Sequence, residues 1–434
     1  MPVIALSAPK LVAVLPSFST PASLGTGLAP VSVVIADLNG DSKPDVATAN
    51  RLSGDVSVFL QEGYGVFPAR NDYVTAAEPS SLAVGDLNGD LKPDLVTSSD
   101  GDEGRVSVLT NLGGGAFGAK RDYAIGMSPA SVAIGDLAGN EAPDVAIAVR
   151  DLEVSGAGAV AVLKNDGDGA FTGAPLLYQL AADPASVSIG DLDGDGQADL
   201  ATANSYAGTV SVLLNSGTGF RARADYATGD WAPSVTIGDL NADGRPDLVA
   251  GHFDKKVTVF LNAGGGRFGE AREHATGRNP TAVAIGDLNG DGAPDLATAN
   301  YQSNTVSVLA NWGEGDGSFV ARRDFRTGDD PQAIAIGDLN GDSKPDLATV
   351  GDLVDGVFVL ANTSGLCTVP KVRLKTVKAA KRAISNGLCG LGGVRRAYSA
   401  VVAKGRVLSV TPRPGTVLPT GGQVGLIVSR GRRR

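Results

Sequence analysis

Short apolar runs separated by polar turns recur along most of this chain. One unit of the pattern contains the run Ser131–Gly135 and, after a polar loop, the run Asp144–Ala148. Later segments such as Val306–Leu309 alternate apolar and polar residues, and an aromatic-led segment such as Phe117–Tyr123 follows the alternating one. Alternation with period two, bounded by Gly, Asn, Asp and Pro, is typical of β-strands. The pattern therefore predicts four short strands in each unit.

A nine-residue polar loop occurs in every unit. It is first seen at Asp37–Asp45, with the sequence DLNGDSKPD. Six further copies begin at Asp86, Asp136, Asp191, Asp239, Asp287 and Asp338, so that successive starts lie 48 to 55 residues apart. Such a period is typical of repeat architectures. Seven units of four strands predict an all-β seven-bladed propeller, with the small-residue strand before each loop innermost.

The two ends of the repeat region predict how the array closes. The last unit ends near Asn362 and lacks an aromatic-led fourth segment, whereas a matching segment, Ser17–Gly27, stands near the start of the chain. We therefore predict that the N-terminal strand closes the last blade. This arrangement would leave no exposed sheet edge at the seam.

The repeated loop also has the composition of a metal site. Oxygen-bearing side chains occupy its first, third, fifth and ninth positions, and the seventh position can offer its backbone carbonyl. Hard oxygen donors at alternate residues suit calcium, which takes about six to eight oxygen ligands. The absence of His and Cys argues against zinc or copper. The predicted ligands are Asp37, Asn39, Asp41, Lys43, Asp45, Asp86, Asn88, Asp90, Lys92, Asp94, Asp191, Asp193, Asp195, Gln197, Asp199, Asp239, Asn241, Asp243, Arg245, Asp247, Asp287, Asn289, Asp291, Ala293, Asp295, Asp338, Asn340, Asp342, Lys344 and Asp346.

The copy that begins at Asp136 departs from this pattern. Ala138 has no ligating oxygen, and Asn140 replaces an aspartate. We therefore expect about six Ca²⁺ sites, with the loop at Asp136 weak or empty. The alternative is that clusters of Asp, Asn and Gly only make good hairpin turns. That alternative accounts for a single copy but gives no reason for carboxylates repeated in one register.

Charge divides the chain into two parts. From Leu366 onward there are 15 Lys and Arg and no Asp or Glu, whereas the preceding residues hold 22 basic and 47 acidic side chains, a balance of 22 − 47 = −25. Thr376–Asn386 predicts a helix that stops at Gly387. Strands are expected at Val394–Ser399 and Val424–Ser429. The second part is therefore predicted to be a small α+β domain.

The run Ala282–Asn300, AVAIGDLNGDGAPDLATAN, resembles the FG-GAP/VCBS repeat. That family forms the seven-bladed propeller of integrin α subunits and of many bacterial secreted proteins, and its aspartate-rich loops bind calcium. The resemblance covers about residues 17–362. It implies the fold and the metal, and it implies adhesion or ligand binding less directly because propellers host many functions.

The basic part resembles a PASTA domain over about residues 366–431. The matching residues are Cys367–Pro370, Ala379, Ala380, Lys404–Val407, Pro412–Thr416, Val428 and Ser429. PASTA domains occur on bacterial cell-wall kinases and penicillin-binding proteins, and some bind peptidoglycan fragments. The resemblance implies peptidoglycan or anionic wall polymers as partners. Nucleic acid is the rival partner, but Tyr398 is the only aromatic residue available for stacking there.

The expected organisation is an N-terminal segment 1–16, a propeller 17–362, a linker 363–365, a PASTA-like domain 366–431 and a basic tail 432–434. Both cysteines, Cys367 and Cys389, fall in the basic part. In an oxidising compartment they would form a disulfide that contributes about 3 kcal/mol. The alternative is two free buried thiols.

The chain has no recognisable catalytic constellation. His274 stands where other units have Tyr123 or Phe325, so we expect it to be a packing residue, whereas His252 is expected to be isolated and exposed. The favoured function is an extracellular or wall-associated bacterial binding protein whose protein or glycan ligand no motif identifies. A propeller enzyme acting on polysaccharide or wall material is the first alternative, and a purely structural spacer is the second.

The sequence shows no convincing export signal. Residues 1–10 lack a basic n-region and Leu11–Leu15 is too short for an apolar h-region, so a truncated start is the alternative to a protein without an export signal. No apolar run of about eighteen residues predicts a membrane span.

Overall fold

The computed structural model describes residues 15–432 except 102, 151–156, 181–182, 222, 312, 314, 320–321, 365, 387–388 and 420–422. The chain divides after Asn362 into two compact units. The first unit contains the repeats and the second contains the basic residues. No helix within the described ranges is long and apolar enough to cross a membrane.

The described part of the repeat unit contains seven four-stranded antiparallel sheets, numbered 1 to 7 by the order of their first strands. The first strands are Pro30–Ala36, Pro79–Gly85, Ser128–Gly135, Pro184–Gly190, Ser234–Gly238, Pro280–Gly286 and Pro331–Gly337. The second strands are Asp45–Asn50, Asp94–Ser99, Asp144–Arg150, Asp199–Asn204, Asp247–His252, Asp295–Asn300 and Asp346–Gly351. The third strands are Asp55–Phe59, Arg105–Leu109, Gly158–Leu163, Thr209–Leu213, Lys256–Phe260, Thr305–Leu309 and Val354–Leu360.

The fourth strands lie at the other edge of each sheet. They are Arg70–Val74, Arg121–Ala124, Leu176–Leu180, Ala224–Ala227, Arg272–Ala275 and Arg323–Arg326, with Ala22–Gly25 in sheet 7. The N-terminal strand Ala22–Gly25 pairs antiparallel with the third strand of sheet 7, Ala22 opposite Val359 and Gly25 opposite Gly356. The sequence predicted this pairing from the missing segment of the last repeat.

Burial within each sheet follows the order of its strands. Every residue of the second strand Asp45–Asn50 is buried, whereas most of Arg70–Val74 is exposed. The second and third strands are covered on both faces by neighbouring sheets, which explains their continuous apolar character. One core cluster joins Ala47 and Val58 of sheet 1 to Leu82 and Leu95 of sheet 2. The core of the repeat unit therefore lies between adjacent sheets.

The aromatic-led segment is not a single strand, so the prediction of Phe117–Tyr123 as the fourth strand is wrong at its start. Residues Asn111–Gly113 and Ala116–Phe117 form a separate two-stranded hairpin. The glycine-rich turn between them, with positive φ from Gly113 to Gly115, reverses the chain there. This hairpin places the Phe117 ring edge to face against Tyr73, with 5.3 Å between the ring centroids. A similar hairpin joins Asn262–Gly264 and Arg267–Phe268, and a short 3₁₀ turn spans Tyr301–Ser303.

The C-terminal unit combines one helix with two small sheets. The helix Val377–Asn386 begins after Thr376, whose Oγ1 accepts a hydrogen bond from the Ala379 amide at 3.2 Å. Gln423–Ser429 is the central strand of a three-stranded sheet, parallel to Gly390–Ala397 and antiparallel to Val407–Thr411. A second sheet pairs Leu366–Thr368 with Val417–Pro419.

Two details of this unit differ from the sequence-based expectation. The strand predicted at Val394–Ser399 begins earlier and ends at Ala397, and the strand Val407–Thr411 was not predicted. Val407 is fully buried in the cluster that also contains Ala380, Ile384 and Leu426. Its strand is short and interrupted by polar residues, so its place in the core follows from pairing with Gln423–Ser429 and not from its own pattern.

Candidate metal centres

Each nine-residue loop joins the first and second strands of a sheet and is wrapped around its first aspartate. In sheet 1, Asp37 Oδ1 accepts hydrogen bonds from the amides of Gly40 at 2.8 Å and Asp41 at 3.1 Å, and Asp37 Oδ2 accepts one from Ser42 at 2.7 Å. Gly40 has a φ of 80°, which a glycine adopts without strain. The first aspartate therefore organises the turn.

The third and fifth positions repeat this arrangement. Asn39 Oδ1 accepts a hydrogen bond from the Asp41 amide at 2.8 Å, and Asp41 Oδ1 accepts one from the Lys43 amide at 2.9 Å. The same pair of hydrogen bonds occurs in the loops of sheets 2, 4, 5, 6 and 7. The backbone thus orients side-chain oxygens at alternate positions. A carboxylate has about four lone-pair sites, so these oxygens can still accept a further ligand.

The loop of sheet 4 has the densest group of carboxylates. One ligating oxygen from each of Asp191, Asp193 and Asp195 lies within 4.8 Å of the others, which no other triple of His, Cys, Asp or Glu achieves among the residues the structure describes. Arg221 Nη1 lies 3.4 Å from Asp193 Oδ2. One guanidinium does not balance three carboxylates at this separation. The donor set, oxygen only and strongly anionic, fits a hard divalent cation.

A basic side chain at the seventh position distinguishes several loops. Lys43 Nζ lies 2.6 Å from Asp41 Oδ2, Lys92 Nζ lies 2.8 Å from Asp90 Oδ2, and Arg245 and Asp243 pair in the same way at 2.5 Å. The hydrogen bond from Lys43 holds the pKa of Asp41 below its ordinary value. The loops of sheets 4 and 6 have Gln197 and Ala293 at this position instead. The ligand role predicted for the seventh backbone carbonyl stays a prediction.

The ninth aspartate is an internal anchor of the sheet. Asp45 is fully buried, its Oδ2 accepts the Leu38 amide at 2.9 Å, and its Oδ1 accepts the Gln61 amide at 2.7 Å. Burial raises the pKa of the corresponding carboxyls, to about 7 for Asp295 and Asp346. Burial likewise raises the pKa of Asp199 to about 6. Both oxygens of this residue already accept amide hydrogens, so it ties the loop to the third strand whether or not a cation binds.

The loop at Asp136 forms the same turn without the full set of side-chain oxygens. Asp136 Oδ1 still accepts the amides of Gly139 at 2.7 Å and Asn140 at 3.1 Å. The Asn140 side chain instead donates to the Asn165 carbonyl at 3.0 Å. The turn thus forms with no side-chain oxygen at the third position and with no carboxylate at the fifth. Turn formation alone does not require those donors in the six other loops.

A set of amide side chains that the sequence analysis did not identify joins neighbouring loops. Asn111 Nδ2 donates to Pro93 O in its own loop and to Leu38 O in the loop of the preceding sheet, each at 2.9 Å. Asn165, Asn215, Asn262, Asn311 and Asn362 make the same two contacts. The available signal was an Asn two residues after each third strand, ahead of the glycine-bearing turn.

Gln61 holds the equivalent position in sheet 1. Its Nε2 donates to Pro44 O at 3.2 Å and to Leu339 O, in the loop of sheet 7, at 2.7 Å. The first and last loops are therefore joined by the same kind of contact as the others.

The two histidines are both internal. His252 is 1% exposed and its Nε2 lies 3.1 Å from Thr258 Oγ1, so the expectation of an exposed histidine is wrong. Its strand extends one residue further than the sequence suggested, which carries the ring into the sheet. Burial lowers its pKa. His274 packs edge-on against Phe319 at 5.0 Å, as expected of a packing residue.

The predicted disulfide stays a prediction. Cys389 is buried in the core of the C-terminal unit. The side chain of Cys367 lies outside the described residues.

A succession of four-stranded antiparallel sheets, each with the same aspartate-rich loop, defines a repeat protein of the β-propeller class. The FG-GAP-like repeat family matches residues 37–97, 86–147, 139–202, 191–250, 239–298 and 287–349, and the PASTA domain family matches residues 368–430. The chain belongs to the FG-GAP-like repeat family and carries a PASTA domain, which confirms both resemblances. This combination indicates a binding module with a domain of the cell-wall-associated type, and the architecture is typical of non-catalytic proteins.

Solved structures support the fold. A structure described as BBS1N in complex with ARL6DN, soaked with mercury, superimposes with a TM-score of 0.56 at 11% identity, covering 81% of this chain and 97% of that one. The WD40 β-propeller domain of Doa1 gives a TM-score of 0.53 at 14% identity, covering 80% and 97%. At such identities the similarity shows the fold alone. No curated protein matches the sequence.

Proposed function

We propose that this protein is a calcium-stabilised extracellular binding module that its PASTA domain tethers to the bacterial cell wall. The proposal of calcium binding rests on the cluster of Asp191, Asp193 and Asp195, whose ligating oxygens lie within 4.8 Å of one another. Like charges at this separation disfavour one another, and a divalent cation relieves the repulsion. The binding is non-enzymatic in this proposal.

The six intact loops form a graded series. The basic groups of Lys43, Lys92 and Arg245 each already neutralise one carboxylate in their loops. Calcium must therefore displace the basic side chain from that carboxylate. The loop at Asp287 has no basic residue among its nine positions, and that at Asp191 has three clustered carboxylates. We expect these two loops to bind calcium most tightly and the loop at Asp136 to bind it weakly or not at all.

We further propose that the seven sheets close into a seven-bladed ring. Two contacts between the first and last sheets support closure: Gln61 donates to Leu339 O, and Gly337 lies against Ile35. The N-terminal strand Ala22–Gly25, which precedes sheet 1 in the chain, completes sheet 7. Calcium at the loops would then stiffen the rim of this ring, leaving its other surfaces for ligands.

Calcium removal tests the first part of the proposal. At tenfold excess over its dissociation constant, each bound ion stabilises the folded state by about 1.4 kcal/mol. We expect chelation to lower the melting temperature of the full chain markedly and calcium to restore it, with magnesium as the control ion. An unchanged melting curve after chelation would contradict the calcium proposal without affecting the wall proposal.

The wall proposal depends on the PASTA match and on charge. The part of the chain from Leu366 onward carries 15 basic residues and no acidic ones, and Lys378, Lys381, Arg395 and Arg396 are exposed. Such a surface attracts anionic polymers and glycan–peptide fragments that carry carboxylates.

Sedimentation of the full chain with purified peptidoglycan tests this tether. Walls stripped of their anionic polymers are the second arm and separate peptidoglycan binding from polymer binding. The variant Lys378→Glu with Lys381→Glu should lose binding, whereas Arg272→Glu on a fourth strand of the repeat unit should retain it. Equal sedimentation of both variants, or none of the wild type, would contradict the tether.

A further inference from the structure

The repeat unit has a second set of turns opposite the aspartate-rich loops. The aspartate-rich loops join first to second strands, so the turns between second and third strands must emerge at the opposite strand ends, together with the links from each fourth strand to the next sheet. Side chains there are not needed for the metal loops. At sheets 4, 5 and 6 this end carries two features that the repeat pattern does not explain.

The first feature is a group of three packed aromatic rings, two of which are exposed. Tyr206 packs edge-to-face on Trp231 with ring centroids 4.6 Å apart, and Phe253 lies 5.0 Å from Trp231 at an interplanar angle of 32°. Tyr206 is 63% exposed and Trp231 is 40% exposed. Large aromatic side chains held at a surface lose little entropy on binding and offer wide contact area. We call these three residues the aromatic row.

The second feature is a basic pocket of about 440 Å³ between the turns of sheets 5 and 6. Lys255, Arg278 and Arg322 line it, together with the polar side chains of Gln302 and Ser303. Asp324 also lines the pocket and pairs with Arg322 at 2.9 Å. Lys255 and Arg278 form no ion pair with any residue in the described ranges. Two uncompensated cations therefore face a pocket within a repeat region whose overall balance is strongly negative.

The two features are continuous along the chain. Phe253 and Lys255 belong to the same turn, so their Cα atoms lie within about 8 Å of each other. The Phe253 amide donates to the Trp231 carbonyl at 3.2 Å, which fixes this turn against the link that carries the tryptophan. Asp254, between them, is 3.3 Å from Lys256 Nζ and so is already paired. The aromatic row and the pocket therefore meet at the turn that carries Phe253 and Lys255.

Arg322 and Ser303 have counterparts in sheet 1, Arg70 and Ser53, which make the same main-chain contacts. Trp231 and Arg278 have no such counterparts. The link Thr228–Pro233, which carries Trp231, is one residue longer than the link Thr276–Pro280. At the position of Arg278 the corresponding links have Leu28, Ala77, Met127 and Asp329. Because the other sheets form without these residues, their presence here calls for an explanation other than folding.

We propose that the aromatic row and the basic pocket bind an acidic saccharide, with a sugar ring against the aromatic residues and its carboxylate or phosphate group at Lys255 and Arg278. Guanidinium and ammonium groups form charge-assisted hydrogen bonds with both kinds of anion. Gln302 and Ser303 can hydrogen-bond hydroxyl groups. The exposed parts of Tyr206 and Trp231 offer apolar contact area to a sugar ring. This inference names the ligand class of the proposed binding module and rests on that function.

Titration calorimetry on the calcium-loaded full chain tests the site. The probes are trigalacturonate, its neutral methyl ester and glucose 1-phosphate, so that carboxylate and phosphate sources of charge are separated. We expect at least one acidic probe to bind. If the carboxylate is the recognised group, the methyl ester should bind at least about tenfold more weakly than trigalacturonate. An oligoglutamate peptide is the probe for the competing ligand class.

Three variants localise the binding. Trp231→Ala should weaken every saccharide about tenfold, and Arg278→Gln should weaken the acidic probes while leaving any binding of the ester unchanged. Leu52→Ala, which removes another exposed apolar side chain from the corresponding turn of sheet 1, should change nothing. All three positions are exposed, and circular dichroism confirms folding.

The inference is overturned if no acidic saccharide binds the folded protein, if Trp231→Ala and Arg278→Gln bind as the wild type does, or if oligoglutamate binds more tightly than either acidic saccharide. Calcium-dependent melting and wall sedimentation of Trp231→Ala provide separate readouts. They should match the wild type, so that loss of the saccharide site and failure of the proposed function give different results.

Discussion

The Nε2 atom of Gln61 donates a hydrogen bond to the main-chain oxygen of Leu339 at 2.7 Å, although 278 positions separate the two residues. Six asparagines make the equivalent contact between other neighbouring loops. The bond joins the first and last repeats through buried groups that water cannot satisfy. A buried carbonyl left without a donor costs about 1–3 kcal/mol.

The first prediction uses this contact to test ring closure. Gln61→Ala should lower the free energy of unfolding by about 1–3 kcal/mol. Asn262→Ala, which removes the corresponding contact to Leu192 O at 2.8 Å within the array, is the matched control and should cost a similar amount. Denaturant unfolding measures both. If Asn262→Ala lowered the free energy of unfolding strongly and Gln61→Ala did not, the contact between the first and last sheets would contribute no stability. That result would contradict the closed ring.

The second prediction concerns close packing at the same seam. A Cβ atom at Gly337 would lie 2.6 Å from Ile35 Cγ2, which is well inside van der Waals contact. Gly337→Ala should therefore lower the free energy of unfolding by about 1–3 kcal/mol through overpacking. Gly25→Ala is the control, because a Cβ there meets nothing within 4 Å. Equal stability of the two variants would show that sheets 1 and 7 are not packed together.

The third prediction concerns the loop at Asp136, whose ligand pattern two substitutions can restore. Ala138→Asn combined with Asn140→Asp restores the donor pattern of the other copies around Asp136. We expect the number of calcium ions per chain, measured by equilibrium dialysis and elemental analysis, to rise from about six to about seven. Ala138→Asn alone is the control and should bind less tightly than the double variant. A count that stays the same in a folded double variant would contradict the assignment of these positions as ligands.

The fourth prediction is a pH dependence of stability in protein stripped of divalent ions. Burial raises the pKa of Asp295 and Asp346 to about 7 in the folded chain, whereas an unfolded aspartate has a pKa near 3.9. Between these values the folded state binds more protons than the unfolded state. The contribution of these two groups to the free energy of unfolding should therefore be greatest below about pH 4. It should fall by at least about 1 kcal/mol as the pH rises towards 7.

Two comparisons isolate this effect. Asp295→Asn should show a shallower fall over the same range, because one of the titrating groups is gone. Saturating calcium should flatten or reverse the fall, since calcium favours the ionised carboxylates. If the metal-free protein gained stability steadily from pH 4 to 7 and Asp295→Asn behaved identically, the raised pKa values would not govern its stability.

Local patterns in the sequence were sufficient for the repeated loop, its turn and most strands of the repeat unit. Strand alternation depends on side chains two residues apart, and the turn around Asp37 depends on amides only three to five residues away. The oxygen donors at alternate positions are likewise set within nine residues. The missing segment after Asn362 even predicted that Ala22–Gly25 pairs with the last sheet, because four strands per unit is a simple count.

Contacts between distant residues depended on the tertiary structure. Nothing near Gln61 indicates that its side chain reaches Leu339, and no local pattern buries His252 or separates Phe117 from the fourth strand. Tyr206, Trp231 and Phe253 likewise come from three different turns, so their aromatic row exists only once sheets 4 and 5 pack together. Short-range hydrogen bonding can be deduced from spacing along the chain, whereas packing between sheets depends on which surfaces the whole fold brings into contact.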